Sequence, residues 1–159
     1  MKSTAWPSVD GYTWVFAAVA GVMTVAGGLV AAINSAAPFA HGSWLAAYLV
    51  LVCGVAQLLL GVGCLGLPAP RLSPLLRGAQ LGLWNLGNAA VAGGVLADAF
   101  GLVVVGSVMV LGALAGFAVG GGPIYPGSRG RVILYRIVIL GLAGSVVIGG
   151  VLADASAGS

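Results

Sequence analysis

Few side chains in this sequence are chemically reactive, and three of them form a candidate site. His41, Asp98 and Asp154 are titratable residues in stretches that are otherwise free of charge. Two carboxylates and one imidazole can bind a divalent metal ion or transfer protons if they converge. We therefore treat these three residues as a candidate proton or metal site, although the chain lacks the His-x-x-x-His spacing of metal-binding helices. The alternative interpretation is structural, because aspartate is favoured in turns and Asp154 marks the end of an apolar stretch.

His41 is the only histidine in the chain and is the candidate ligand for a haem. One chain with one histidine cannot supply two imidazole ligands to the same iron, so haem would be bound by a single axial ligand or between subunits. A haem-associated or redox-associated membrane protein is therefore the third of three functional hypotheses. No other cofactor is indicated.

Three amides form a second candidate site within the apolar stretches. Gln57, Asn85 and Asn88 are predicted to lie near the middle of two adjacent helices, as a polar midplane layer. An amide in an apolar environment needs a hydrogen-bond partner, so we expect Gln57 to bond to Asn88 or Asn85. Such bonds hold helices together in a structural interpretation, whereas in a functional one they line the path of a small substrate.

The sequence carries no established catalytic motif. Cys53 and Cys64 are 11 residues apart, about 16 Å along a helix, which is too far for a disulfide within one helix. Phosphate-binding loops, nucleophile elbows and zinc-type Cys/His pairs are absent from the sequence. We therefore predict neither catalytic residues nor a metal site of known spacing, and favour a protein that is not an enzyme.

The composition predicts that these residues lie on membrane-spanning helices. Charged residues make up 6% of the chain and hydrophobic residues 60%, with a mean hydropathy of +1.15. A soluble domain needs more charge to cover its surface, and disorder needs far less hydrophobicity. We predict one all-α membrane domain over residues 1–159, a polytopic bundle of five spans. The predicted spans are 13–33, 44–67, 78–97, 101–120 and 132–153.

The positive charges predict the orientation of this bundle. All six lie at one end of the predicted spans: Lys2, Arg71, Arg77, Arg129, Arg131 and Arg136. Positive residues are retained on the cytoplasmic side, so the N-terminus is predicted to be cytoplasmic and the C-terminus outside. Together with the Ala, Gly, Val and Arg bias, this favours a bacterial plasma membrane. The net charge of +3 is scattered, so the lipid bilayer and not nucleic acid is the predicted partner.

One short sequence occurs twice. Residues 93–99 and 149–155 both read GGVLADA, at an offset of 56 positions. The match predicts a parallel repeat in which helices 2 and 3 correspond to helices 4 and 5. Chance is the alternative, because the chain is rich in Gly, Ala, Val and Leu.

Small residues at four-residue spacing predict helix-packing faces. The predicted fourth span carries Gly112, Gly116 and Gly120, and the fifth carries Gly141, Ser145 and Gly149. Such faces allow helices to approach closely, either within one bundle or between chains. The first functional hypothesis is therefore a non-catalytic membrane protein, a homo-oligomer or a small subunit or interaction module of a larger membrane complex. The second is a small oligomeric transporter or channel-like protein that uses the polar midplane layer.

Overall fold

The computed structural model describes residues 11–63, 73–120 and 129–157, and all regular structure in these ranges is helical. The side chains of residues 62–63, 120, 129, 131 and 148–157 lie outside that description. In chain order the elements are α1 (Gly11–Ala36), α2 (Gly42–Tyr48), a π-helical segment (Leu49–Ala56), α3 (Gln57–Gly63), α4 (Pro74–Leu96), α5 (Phe100–Gly120) and α6 (Arg129–Ala157). Because α2, the π-helical segment and α3 follow one another without a break, they form one long helix. The prediction of an all-α chain is confirmed.

Two helix starts lie three or four residues before the predicted spans. Helix α4 begins at Pro74 and not near residue 78, because Ser73 caps it through a bond from the Leu76 amide to Ser73 Oγ (3.3 Å). Arg77 consequently lies in the first turn of α4 and not in a loop. Helix α6 begins at Arg129 and not at residue 132, so the positive residues near its start belong to the helix.

Three of the helices are long and apolar enough to cross a membrane. They are Gly11–Ala36, Gly42–Gly61 and Phe100–Val119, with a shorter apolar stretch at Val132–Val147. A helix rises about 1.5 Å per residue, so each of the three matches the ~30 Å hydrocarbon core of a bilayer. These three helices make a membrane protein the natural interpretation of the fold.

The bundle has two ends, which we name by one residue each. At the Tyr12 end, the start of α1 lies near α4, because the Tyr12 hydroxyl donates to Gln80 Oε1 (3.4 Å). The end of α3 and the start of α6 also meet there, since the Tyr135 hydroxyl donates to the carbonyl of Leu60 (3.4 Å). At the His41 end, α1 connects to α2 and α4 turns into α5. Helices that follow one another in the chain therefore run antiparallel.

Glycines set the closest helix crossings. Gly87 on α4 and Gly106 on α5 face each other, so that a Cβ built on Gly106 would lie 2.6 Å from the Gly87 carbonyl oxygen. On the other side of the bundle, a Cβ on Gly27 of α1 would lie 2.9 Å from the Ala46 carbonyl oxygen. Backbone atoms cannot move aside cheaply, so these positions require glycine. The close pairs are thus α4 with α5, and α1 with the long helix formed by α2, the π-helical segment and α3.

An aromatic cluster at and above the Tyr12 end holds the five helices together. Phe117 of α5 makes edge-to-face contacts with Phe16 of α1 (5.6 Å between ring centroids) and with Trp84 of α4 (6.4 Å). Edge-to-face contact brings the positive ring edge to the negative ring face and is favourable. Leu60 of α3 and Ile139 of α6 pack against the same cluster. The core is therefore concentrated in the half of the bundle nearest Tyr12.

Candidate functional site

The long second helix contains a π-helical segment, Leu49–Ala56, that the sequence periodicity did not predict. Its wider turns shift the side chains that follow it around the helix, compared with an unbroken α-helix. Gly54, within the segment, packs against the Thr24 hydroxyl of α1, and that hydroxyl donates to the carbonyl of Ala20 (2.9 Å). Segments of this kind are frequent at functional sites.

The predicted bond between Gln57 and Asn88 or Asn85 does not form. Gln57 is fully buried, but its Nε2 donates weakly to the carbonyl of Phe16 in α1 (3.5 Å). The reason is the order of the helices: α3 packs on α1 at this depth, so α1 supplies the nearest acceptor. The Gln57 Oε1 atom is buried without a hydrogen-bond partner among the described residues.

Asn88 instead connects α4 to α2. Its Oδ1 accepts from the Tyr48 hydroxyl at 2.6 Å, and its Nδ2 donates to the carbonyl of Trp84 at 2.7 Å. Asn85 bonds within its own helix, from Nδ2 to the carbonyl of Leu81 (3.0 Å). The three amides of the predicted midplane layer therefore have separate partners in the structure.

Sequence reasoning missed Tyr48, whose hydroxyl makes the shortest of these contacts. A signal was available, since a tyrosine within an apolar span needs a partner for its hydroxyl. Its ring also stacks on Trp44, one turn earlier, with the centroids 4.9 Å apart. Tyr48, the last residue of α2, thus connects that helix to the middle of α4.

A cavity of about 490 Å³ opens at the His41 end. Most of its wall is apolar and comes from three helices: Val91 and Val95 of α4, Val103 and Val110 of α5, and Leu142 and Val146 of α6. On the remaining side it is bounded by α2 and the π-helical segment. Ligand sites in proteins are concave, mainly apolar and about 300–1,000 Å³ in volume, so this cavity has the size and lining of one.

The polar groups of the cavity are spread from its mouth to its inner end. His41 and Trp44 are exposed there, while Ser107 and Ser145 lie farther along the wall. The Ser145 hydroxyl donates to the carbonyl of Leu142 in its own helix (2.7 Å). At the inner end of the cavity lies Trp84, which is 1% exposed and whose indole N–H has no acceptor among the described residues. The cavity thus runs from an exposed mouth at His41 and Trp44 to an aromatic floor at Trp84.

The candidate proton or metal site is only partly described. His41 precedes α2 with a φ of 61°, and Asp98 lies exposed in the α4–α5 turn with a φ of 50°. Both residue types tolerate this left-handed conformation, which fits the structural interpretation of Asp98 as a turn residue. Asp154 lies in α6, but its side chain is outside the described side chains. In the described part of the chain, no three His, Cys, Asp or Glu side chains group to hold a metal ion. Haem ligation by His41 stays a prediction.

The predicted packing stripes point in more than one direction. Gly116 faces Gln80 of α4, whereas Gly112 and Gly141 have nothing within 4 Å of a built Cβ and are exposed. Ser145 is exposed and borders the cavity. The surroundings of Gly120 and Gly149 lie outside the described side chains. The glycines that form the close crossings inside the bundle are others, Gly87 and Gly106 among them.

Comparisons with known proteins identify no relative. No family model matches this chain. No curated protein and no solved structure is significantly similar to it.

Proposed function

We propose that this chain is a non-catalytic multi-pass integral membrane protein that serves as a small subunit or interaction module of a larger assembly in the bacterial plasma membrane. One surface of α5 carries the proposal. Its outward residues recur every three or four positions, and all are Gly, Ala or Val. This α5 seam consists of Gly101, Val105, Val108, Gly112, Ala115 and Val119.

Exposure of the α5 seam is high along its whole length. Val119 is 75% exposed and Val108 64%, and a Cβ built on Gly112 would meet nothing within 4 Å. Glycine lowers helix stability, and toward lipid it gains no packing contact in return. Spacings of three and four residues match the packing of two helices that cross at about 20°. The seam therefore fits a transmembrane helix of another chain.

Five spans are part of the proposal, and the surface of α4 supports the third of them. Its polar residues Gln80 and Asn88 are buried, which lowers the hydropathy of the helix without exposing polarity. Its large exposed hydrophobic side chains are all leucines, with Leu75 at 82% and Leu86 at 63%. A helix that is apolar toward its surroundings and polar toward the bundle is suited to a bilayer.

The proposed orientation has the Tyr12 end in the cytoplasm. Arg77 lies in the first turn of α4 at this end, with its guanidinium 5.7 Å from the centre of the Tyr12 ring, and Arg129 starts α6 there. At the His41 end, the described turn between α4 and α5 carries an aspartate, Asp98. The distribution follows the positive-inside rule.

Photo-crosslinking from the α5 seam tests the proposal. Benzoylphenylalanine in place of Val108 should form an adduct with a second chain in native membranes. The control places it at Ala118, which is also exposed on α5 but lies about 120° from Gly112 around the helix, and should give far less adduct. Gly112→Leu should abolish the Val108 adduct, because the side chain fills the groove between the helices.

The mass of the adduct distinguishes a homo-oligomer from a complex with a different subunit. Twice the mass of this chain identifies a homo-oligomer, and any other mass identifies a different subunit. Equal lipid-only labelling from Val108 and Ala118 would contradict the proposal.

A further inference from the structure

We propose that the cavity at the His41 end binds the hydrocarbon chain of a single amphiphile, with the polar headgroup of that molecule at the His41 mouth. The inference is independent of the α5 seam, because the cavity is enclosed by other faces of the bundle. It assigns a ligand class to a space that the helix packing leaves open.

The cavity lies beside two of the apolar spans. Trp44 and Tyr48 belong to the span Gly42–Gly61, and Val103 and Val110 belong to the span Phe100–Val119. Residues 84 to 95 of α4 bound the cavity over about 16 Å of helix. The cavity therefore begins near one end of two membrane spans and extends toward their middle, at the depth of lipid chains.

The chemistry of the walls carries the second step. Valine side chains and Leu142 make up most of the described lining from α4, α5 and α6, and such side chains offer no hydrogen bonds to water. The Tyr48 and Ser145 hydroxyls are already bonded within the bundle, to Asn88 and Leu142. Apart from Ser107 and the unpaired indole N–H of Trp84, the described wall that remains is an apolar surface suited to hydrocarbon.

The mouth carries the third step. His41 and Trp44 lie at the opening and are exposed, and Phe39 and Phe100 are 43% and 40% exposed at the same end of the bundle. Tryptophan, here Trp44, is enriched at the level of lipid headgroups. A ligand with its chain in the cavity therefore has its polar end at the membrane interface, next to an imidazole and an indole.

A closely packed helix pair and a π-helical segment form opposite walls of the cavity. On the α4–α5 side the walls are held close by glycine, since a Cβ on Gly94 would lie 2.8 Å from the Val103 amide nitrogen. On the opposite side the wall is formed by Tyr48 at the end of α2 and by Val52 within the π-helical segment. Irregular turns of this kind are frequent at functional sites.

Trp84 provides the probe, because it lies at the floor of the cavity and is 1% exposed. The experiment uses the full chain with Trp6→Phe, Trp14→Phe and Trp44→Tyr, so that Trp84 is the only tryptophan and a polar aromatic ring is kept at the mouth. The protein is reconstituted in phosphatidylcholine vesicles with ordinary or dibrominated acyl chains. Bromine quenches indole fluorescence on near contact, so a chain in the cavity should quench Trp84.

Filled cavities are the decisive controls. Ser107→Leu adds bulk from α5, and Ser145→Leu adds bulk from the exposed side of α6, so the two changes are structurally independent. Either change should abolish the quenching of Trp84 while helical circular dichroism and monodispersity are retained. If Ser107→Leu fails to fold, Ser145→Leu alone decides the result.

The lipid arms distinguish the source of the chain. Quenching by brominated phosphatidylcholine identifies a bilayer lipid, whereas quenching only after a brominated free fatty acid is added to ordinary vesicles identifies a free amphiphile. The proposal is overturned if neither brominated species quenches Trp84. It is equally overturned if quenching persists unchanged in the filled variants, because bromine then reaches Trp84 from outside the bundle.

Discussion

The Tyr12 end and the His41 end of the bundle contain the same helices but are packed differently. At the Tyr12 end, Phe16, Trp84 and Phe117 make edge-to-face contacts, and Leu60 fills the space beside them. Toward the His41 end the same α4 and α5 present valines and Ser107, and a cavity of about 490 Å³ remains between them, α2 and α6. The difference teaches that side-chain volume, and not helix arrangement alone, decides which half of the bundle is closed.

The first way to test this contrast is to remove a large side chain from the aromatic cluster near the Tyr12 end. Phe117→Ala should lower the free energy of unfolding by about 3 kcal/mol, because it leaves a void among rings that have no room to collapse. Reversible denaturation in mixed detergent micelles measures the change. Phe100→Ala, on the exposed face of α5 at the other end, should stay within about 0.5 kcal/mol of the parent protein. Equal losses in both variants would show that the aromatic cluster has no special role.

The second way is to push apart α4 and α5, the wall shared by both ends. Gly106→Ala should destabilise the protein by about 1–3 kcal/mol, since the new Cβ would meet backbone atoms of Gly87 and Val91. The matched control is Gly101→Ala in the same helix, where a Cβ would meet nothing within 4 Å. The midpoint of thermal unfolding in detergent measures both. A Gly106→Ala variant as stable as its control would contradict the tight crossing.

The third test concerns the bond that spans the cavity side of the bundle. Tyr48→Phe and Asn88→Leu, alone and combined, should give a coupling energy of about 1 kcal/mol, because each partner left alone has lost a 2.6 Å hydrogen bond. Denaturation of all four proteins of the cycle measures it. Strictly additive effects would show that the two side chains do not depend on each other.

The smallest effect is expected at Gln57, in the closed half. Gln57→Leu should leave stability within about 0.5 kcal/mol of the parent or raise it, because the amide makes only a 3.5 Å bond and its Oε1 is buried without a described partner. The same denaturation assay measures it. A clear loss of stability would mean that the contact with Phe16 is stronger than its length indicates.

Much of the architecture was predictable because charge is so scarce. The long chargeless stretches located every described helix, and the turn at Asp98 fixed where α4 ends and α5 begins. Helix starts were less well predicted, since Ser73 and Pro74 act through a local cap that apolar periodicity does not register. The π-helical segment had no sequence signal that we recognised.

The candidate sites were predictable only as lists of residues. The sequence placed Gln57 and Asn88 at similar depth, but depth does not say which helix lies next to which. In the structure α1 packs on α3, so Gln57 meets Phe16, while Asn88 meets Tyr48 of α2. The parallel repeat of helices 2–3 and 4–5, and a transport role for the amide layer, stay predictions.

The sequence by itself determined the helical class, the location of the helices and the apolar character of their surfaces. These follow from local properties. A helix satisfies its backbone hydrogen bonds internally, and the polarity of its own side chains decides whether its surface suits water or lipid. Only the tertiary structure decided which glycines face inward, as Gly106 does and Gly112 does not, and where packing fails to fill space. Those outcomes depend on how each helix is rotated and on which helices are neighbours. Both are decided by the fit between side chains of helices that are far apart in the chain.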